Sequence, residues 1–176
     1  MSREIIERLK ENNRLYVASG KCTPNVSKEL RSCLASGQAP YAAVLTCSDS
    51  RVIPEAIFLA NLGDLFVIRV AGNIADHTQM ASIVYAVEHL GVDTVVVLGH
   101  TNCGAVAAAL HGEVDGEVGY ITRKIQAVIG PERNALAACR LNVLSTVRIV
   151  SDSLGTNAQC IGAIYDIVSG KVEFLE

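Results

Sequence analysis

Several features that assign a chain to a class are missing from these 176 residues. There is no basic run, and a net charge of -3 with a pI near 5.8 gives no electrostatic footprint for nucleic acid or anionic lipid. No apolar run approaches membrane-spanning length. The first twenty residues, MSREIIERLKENNRLYVASG, carry charges throughout and lack the apolar core of a signal peptide, so a cytoplasmic location is expected. No Cys-x-x-Cys pair occurs among Cys22, Cys33, Cys47, Cys103, Cys139 and Cys160, which argues against a redox dithiol. In a reducing compartment the six read as thiols or ligands instead of a disulfide framework. Repeats, linkers and low-complexity stretches are also absent. One domain over residues 1–176 is therefore expected, with a helical arm at 1–36 and an α/β core at 37–176.

What is present is ordinary for a globular α/β protein: half the positions are apolar and 19% are charged. The periodicity predicts a helix from Ser2 to about Ala18, with Ile5, Ile6, Leu9 and Tyr16 near one side, for the chain's own core or a second subunit. Lys21 to Ser27 reads as loop, followed by a short helix through Leu30 and Leu34. Tyr41 to Leu45, Leu65 to Val70 and Thr94 to Leu98 lack polar alternation, as buried parallel strands do. Between and after them, helices are predicted from Pro54 to Ala60, Thr78 to Leu90, Ala105 to Leu110, Glu117 to Val128 and Glu132 to about Val150. Cys160 to Tyr165 makes a further strand, and Gly170 turns the chain into a short tail, Lys171 to Glu176. Alternating strands and helices predict a three-layer α/β/α domain around a mainly parallel sheet of four to five strands.

Two stretches concentrate chemistry. Cys47-Ser48-Asp49-Ser50-Arg51 follows the first strand and places a thiol, a carboxylate and a guanidinium at alternate positions, which in extended backbone share a face. Gly99-His100-Thr101-Asn102-Cys103-Gly104 follows the third and offers an imidazole and a second thiol. Both lie at strand ends, where open α/β sheets bind ligands. Sulfur, oxygen, nitrogen and sulfur donors together suit a tetrahedral, borderline-soft divalent ion, with zinc first. The same residues also read as a structural zinc site or free thiols, and Asp49 with Arg51 as a surface ion pair.

The pattern Cys-x-Asp-x-Arg followed by His-x-x-Cys resembles the β-class carbonic anhydrases. So do Gly37-Gln38-x-Pro40, Pro54-Glu55, Gly63-Asp64-Leu65-Phe66-Val67 and Ala71-Gly72-Asn73. The resemblance implies zinc held by Cys47, His100 and Cys103, with Asp49 as a fourth ligand that leaves when Arg51 accepts its carboxylate. Exchanging that carboxylate for hydroxide leaves the charge of the site unchanged. The reaction implied is reversible hydration of carbon dioxide to bicarbonate and a proton by zinc-bound hydroxide, with activity rising with pH. Val70 and Ala71 are the expected apolar walls of the carbon dioxide pocket. The Gly104 N–H is the expected donor to the developing oxyanion. Gln38 resembles an amide that reaches the pocket from a neighbouring subunit, which implies a homodimer or a dimer of dimers. His77, in the loop after Asn73, is a candidate proton shuttle; His89 and His111 are the others. One subgroup of the family binds inhibitory bicarbonate through a tryptophan three residues before the first cysteine ligand. Here Val44 stands there, and only the arginine of that site, Arg69, is in place. Two other functions share the motif: hydrolysis of carbonyl sulfide or carbon disulfide, and a catalytically silent zinc protein with a regulatory role. The remaining cysteines read as small buried apolar residues.

Overall fold

The apolar runs pair into one sheet. The computed structural model describes residues 2–20, 23–112 and 115–175; Lys21, Cys22 and Glu176 lie outside them. Strands β1 (Ala42–Thr46), β2 (Leu65–Arg69), β3 (Thr94–His100), β4 (Gln159–Tyr165) and β5 (Val172–Leu175) lie in the order β2-β1-β3-β4-β5. The first four are parallel, and β5 returns antiparallel along β4. The tail after Gly170 thus supplies a fifth strand. Three of its four residues are half-buried and none fully so, and over four residues it gives little periodicity to read.

Because side chains alternate along a strand, each strand feeds two cores. Ala42, Val44, Val96, Leu98 and Ala163 face one layer, made by α1 (Ser2–Ser19) and α3 (Pro54–Ile57). Ala43, Leu45, Val95 and Val97 face the other, made by α4 (His77–Leu90), α5 (Gly104–His111), α6 (Gly116–Ile129) and α7 (Ala135–Leu154). A short helix preceding β1, α2 (Lys28–Leu34), is capped by Ser27 Oγ, which accepts from the Leu30 N–H. At roughly 1.5–3 kcal/mol for each fully buried aliphatic side chain, these two layers dominate the stabilisation. Helix α7 approaches the sheet closely over Gly99 and Gly162, where an added Cβ would stand 2.5 Å and 2.8 Å from Val143 methyls.

Helix α1 folds back on its own chain, burying Ile6 and Leu9. Buried Asn13 fastens it: its Nδ2 donates to the Ile57 and Gly170 carbonyls, and its Oδ1 accepts from the Val172 N–H. Several boundaries differ from expectation, most by a residue or two; the following have a visible cause or bear on the site. Helix α3 stops at Ile57 instead of Ala60, because Leu59 turns left-handed at φ 46°. Helix α7 starts at Ala135 instead of Glu132, because Asn134 caps it by accepting from the Ala137 N–H. His77 is the first residue of α4, behind the cap Asp76, and not a loop residue. His100 is the last residue of β3 and not the residue beyond it. Of the spare cysteines, Cys139 is buried, Cys160 is half-buried and Cys33 is exposed on α2, so the apolar-core reading fails for Cys33.

Candidate metal centre

The sheet order reverses direction between β1 and β3, and ligands of open α/β sheets bind at the carboxyl ends of such a pair. Thr46 pairs with Leu98, and its hydroxyl donates to the Leu98 carbonyl at 2.8 Å, so Cys47 leaves β1 beside the end of β3. Asn102, left-handed at φ 56°, turns the chain after His100 so that Cys103 stands just before α5, at its N-cap. The result is a buried group of Cys47, His100 and Cys103 whose ligand atoms all lie within 4.8 Å of one another. The two sulfurs are 4.0 Å apart.

His100 Nδ1 sits 2.9 Å from the Thr101 carbonyl, which can only accept, so Nδ1 carries the hydrogen. In the neutral ring Nε2 is then left with its lone pair. Among the described residues, it is one of three buried side-chain polar atoms without a hydrogen-bond partner. A buried acceptor without a partner costs roughly 1–3 kcal/mol. An unsatisfied nitrogen facing two thiols is what a metal site needs, and the donor set fits a borderline-soft divalent ion.

The sulfurs differ in electrostatics. The hydrogen bond from Cys103 is the main reason the Cys47 thiol is pushed well below its ordinary range, against burial; the Gly72 and Asp49 N–H groups add to it. Cys103 is pushed up, first by that same bond and then by burial.

Asp49 is close but outside the three-residue group. Its carboxylate accepts from Arg51 twice, from Nε at 2.9 Å and Nη2 at 2.6 Å, and from the Arg51 backbone N–H at 3.0 Å. These bonds hold it well below the usual carboxylate range. Its Oδ2 is 3.9 Å from His100 Nε2. The residues do not alternate on an extended strand as expected: β1 ends at Thr46, and the Val52 N–H donates to the Asp49 carbonyl, closing a turn. The turn brings Arg51 back over Asp49, and Arg51 Nη2 also reaches the Asn102 carbonyl at 3.3 Å, bridging the two half-sites.

Gly104 opens α5 beside Cys103, and Val70 and Ala71 are half-buried at the end of β2. Gln38 is not brought to the cluster within one chain. It is exposed and lines a groove of about 870 Å³ with Val26, Ile53, Glu55 and Leu62. Of the histidines, His89 stacks with Tyr85 at 5.2 Å, and His111 ends α5 and lines a separate cavity with Arg133.

Three residues close to the centre act as supports that no motif marked as such. Arg69 donates to the Cys47 carbonyl at 3.3 Å and to the Asp49 carbonyl at 2.7 Å, so its guanidinium grips the first half-site from β2. Gly72, at φ 70°, directs its N–H at Cys47 Sγ, 3.3 Å away. Asn142 on α7 donates to the Gly72 carbonyl at 2.7 Å. The available signal for Asn142 was a polar residue on the buried side of an apolar helix.

Fold and site together define an α/β protein with a buried Cys/His/Cys cluster, a candidate metal centre, at the switch point of its sheet. Residues 42–172 match the family model described as carbonic anhydrase. The chain is 46% identical over 122 residues to carbonic anhydrase 2 of Mycobacterium tuberculosis, covering 68% of this chain and 59% of that protein. It therefore spans about three fifths of that relative's length. It is 35% identical to the carbonic anhydrase of Mycolicibacterium smegmatis, covering 94% of this chain and 89% of that one. Among solved structures, a tetrameric β-carbonic anhydrase of Sordaria macrospora superposes with a TM-score of 0.74 at 28% identity, covering 82% of this chain and 84% of that one. The Coccomyxa β-carbonic anhydrase in complex with acetazolamide gives 0.74 at 27%, over 94% and 83%. The chain belongs to the carbonic anhydrase family, and within it to the β class.

Proposed function

We propose that the chain is a zinc-dependent carbonic anhydrase, hydrating carbon dioxide reversibly to bicarbonate and a proton. The observation that carries this is the buried, unpartnered Nε2 of His100 in one group with two sulfurs. Three such donors leave a fourth position for a reacting oxygen. When bound there, zinc supplies the Lewis acidity that lets a water lose its proton near neutral pH.

The chain's own residues do the rest. Asp49, kept ionised by Arg51, is purely an acceptor. It can take a hydrogen bond from an oxygen beside His100 Nε2 and so aim that oxygen's lone pair at substrate. Released by Arg51, the same carboxylate can enter the fourth donor position and shut the site, so the pair gates it. Val70 and Ala71 offer carbon dioxide an apolar wall, and the Gly104 N–H a donor where negative charge develops. Gln38 reaches the pocket only from a second copy. We read the groove it lines, with the exposed side chains of Ile53 and Leu62, as covered by that copy in a homodimer or dimer of dimers. Among the described residues no helix is long and apolar enough to cross a membrane. Cytoplasmic location is part of the proposal.

Metal analysis joined to stopped-flow hydration of carbon dioxide tests it. The expected result is one zinc per chain, a rate rising from about pH 6 to about pH 9, and a fall of about tenfold or more in Arg51→Ala. Asp49→Ala should flatten the low-pH limb, because the shutting ligand is gone. A metal-free protein, or faster turnover of carbonyl sulfide or carbon disulfide than of carbon dioxide, would sink the proposal.

A further inference from the structure

Cys47 and Cys103 receive backbone hydrogen bonds from different kinds of scaffold. The Val106 N–H that serves Cys103 belongs to the first turn of α5, so the helix itself aims it. The Gly72 N–H that serves Cys47 belongs to the short turn Ala71–Asn73, where the register of β1 and β2 has already ended at Thr46 and Arg69. Glycine is the residue whose flanking peptide planes rotate most freely, so something outside the turn must hold this one. Two features do. The space a Cβ would fill at Gly72 is occupied by Ile125 Cδ1 at 2.8 Å and Ala105 Cβ at 3.1 Å, so the backbone is pressed against α5 and α6. On its carbonyl side, Asn142, 2% exposed, donates at 2.7 Å from the middle of α7.

We propose that Asn142 is a positioning residue for Cys47: by holding the Gly72 carbonyl it keeps the Gly72 N–H on the Cys47 sulfur and weakens that thiolate as a donor to the metal. The proposal rests on reading Cys47 as a metal ligand. An N–H aimed at sulfur draws electron density from it, leaving the bound ion more electron-poor, and outer-shell partners of this kind tune metal affinity and acidity. Aspartate at position 142 keeps the size and shape of the side chain but cannot donate when ionised, and leucine removes the polar group altogether. Thr146, buried one turn further along α7, is the control for packing alone.

The experiment uses the holoprotein with cobalt in place of zinc, and separately with cadmium-113. With cobalt, the thiolate-to-metal charge-transfer absorption should move to longer wavelength in Asn142→Asp and Asn142→Leu and stay in place in Thr146→Val. Release of metal to a chelator should slow severalfold in the two Asn142 variants, because their Cys47 thiolate is the stronger donor, and stay unchanged in Thr146→Val. In cadmium-loaded protein of unchanged sequence, the Gly72 amide proton should couple to cadmium through the sulfur, a measurement that needs no variant to fold. Absence of that coupling overturns the proposal. So does an unshifted absorption in both Asn142 variants that still hold one cobalt per chain. If the unaltered protein binds cobalt without any sulfur charge-transfer band, the metal reading itself has failed and the proposal falls with it; a band that is present but indifferent to Asn142 sinks the proposal alone.

Discussion

The two half-sites of the candidate metal centre are built by opposite means. His100 and Cys103 are placed by regular structure: the last residue of a fully buried strand, a left-handed Asn102, and the start of a helix. Cys47 and Asp49 lie where β1 has already ended, and are held by side chains and one N–H from elsewhere: Arg69 on two carbonyls, Gly72 on the sulfur and Arg51 on the carboxylate. The lesson is that one half is rigid because of its own backbone, while the other is adjustable because its position is a sum of removable contacts. The gate proposed for Asp49 and Arg51 falls on the adjustable side.

Breaking the rigid half should have the largest effect. His100→Ala removes the only nitrogen of the group, and we expect loss of bound metal and of hydration activity down to the buffer rate, checked by metal analysis and stopped flow. Next is Gly104→Pro, which sharpens the comparison by asking whether the rigid half supplies chemistry as well as placement. Proline suits the first position of a helix, and Cys103 already has the φ of -70° and ψ of 120° that a residue before proline favours. Fold and metal content should therefore survive while the N–H disappears. If that N–H stabilises the developing oxyanion, kcat should fall on the order of 100-fold. Unchanged kcat in a folded, metal-loaded variant removes Gly104 from the mechanism.

The same division explains what could be read from sequence. The four parallel strands, their order along the chain and the Gly99 to Gly104 stretch were legible because β-branched runs and helix boundaries announce themselves locally, whereas the short edge strand β5 did not. Cys47, Asp49 and Arg51 were legible as chemistry, but their geometry was not: alternation assumes extended backbone, and the chain turns at Asp49. Arg69, Gly72 and Asn142 were invisible as supports, since a contact to a carbonyl or a sulfur far along the chain leaves no period in the sequence. Gln38 could be assigned only through the family resemblance, because the groove it lines is separate from the metal centre.

Arg69 tests the adjustable half directly. Arg69→Ala frees the Cys47 and Asp49 carbonyls without touching any donor atom, and the side chain is exposed, so packing losses are small. We expect a metal affinity lower by about tenfold, with a stability change within about 1 kcal/mol. Competition with a chelator and urea unfolding measure the two. An affinity as high as that of the unaltered protein would mean that the first half-site is held by its own turn, and the contrast between the halves would dissolve.

The smallest effect concerns what a thiol does in each environment. Cys47 is lowered because hydrogen bonds overcome burial, whereas Cys160 on β4 is raised from 9.0 to about 12, with burial as the main cause and only a partial offset from Ser151. In the unfolded chain Cys160 loses its proton near 9.0, while the folded chain keeps it until about 12. Between those values the unfolded state binds fewer protons, so stability falls as pH rises; the contribution is complete below the unfolded value and gone above the folded one. Tyr41 and Tyr165, each raised from 10.0 to about 12, add to the same alkaline slope from a higher starting pH. Cys160→Ala should therefore lose less stability than the unaltered protein between about pH 8 and about pH 10, measured as urea midpoints, while both still weaken above that through the tyrosines. Equal losses in the two proteins across the lower window would show that burial does not hold the Cys160 proton.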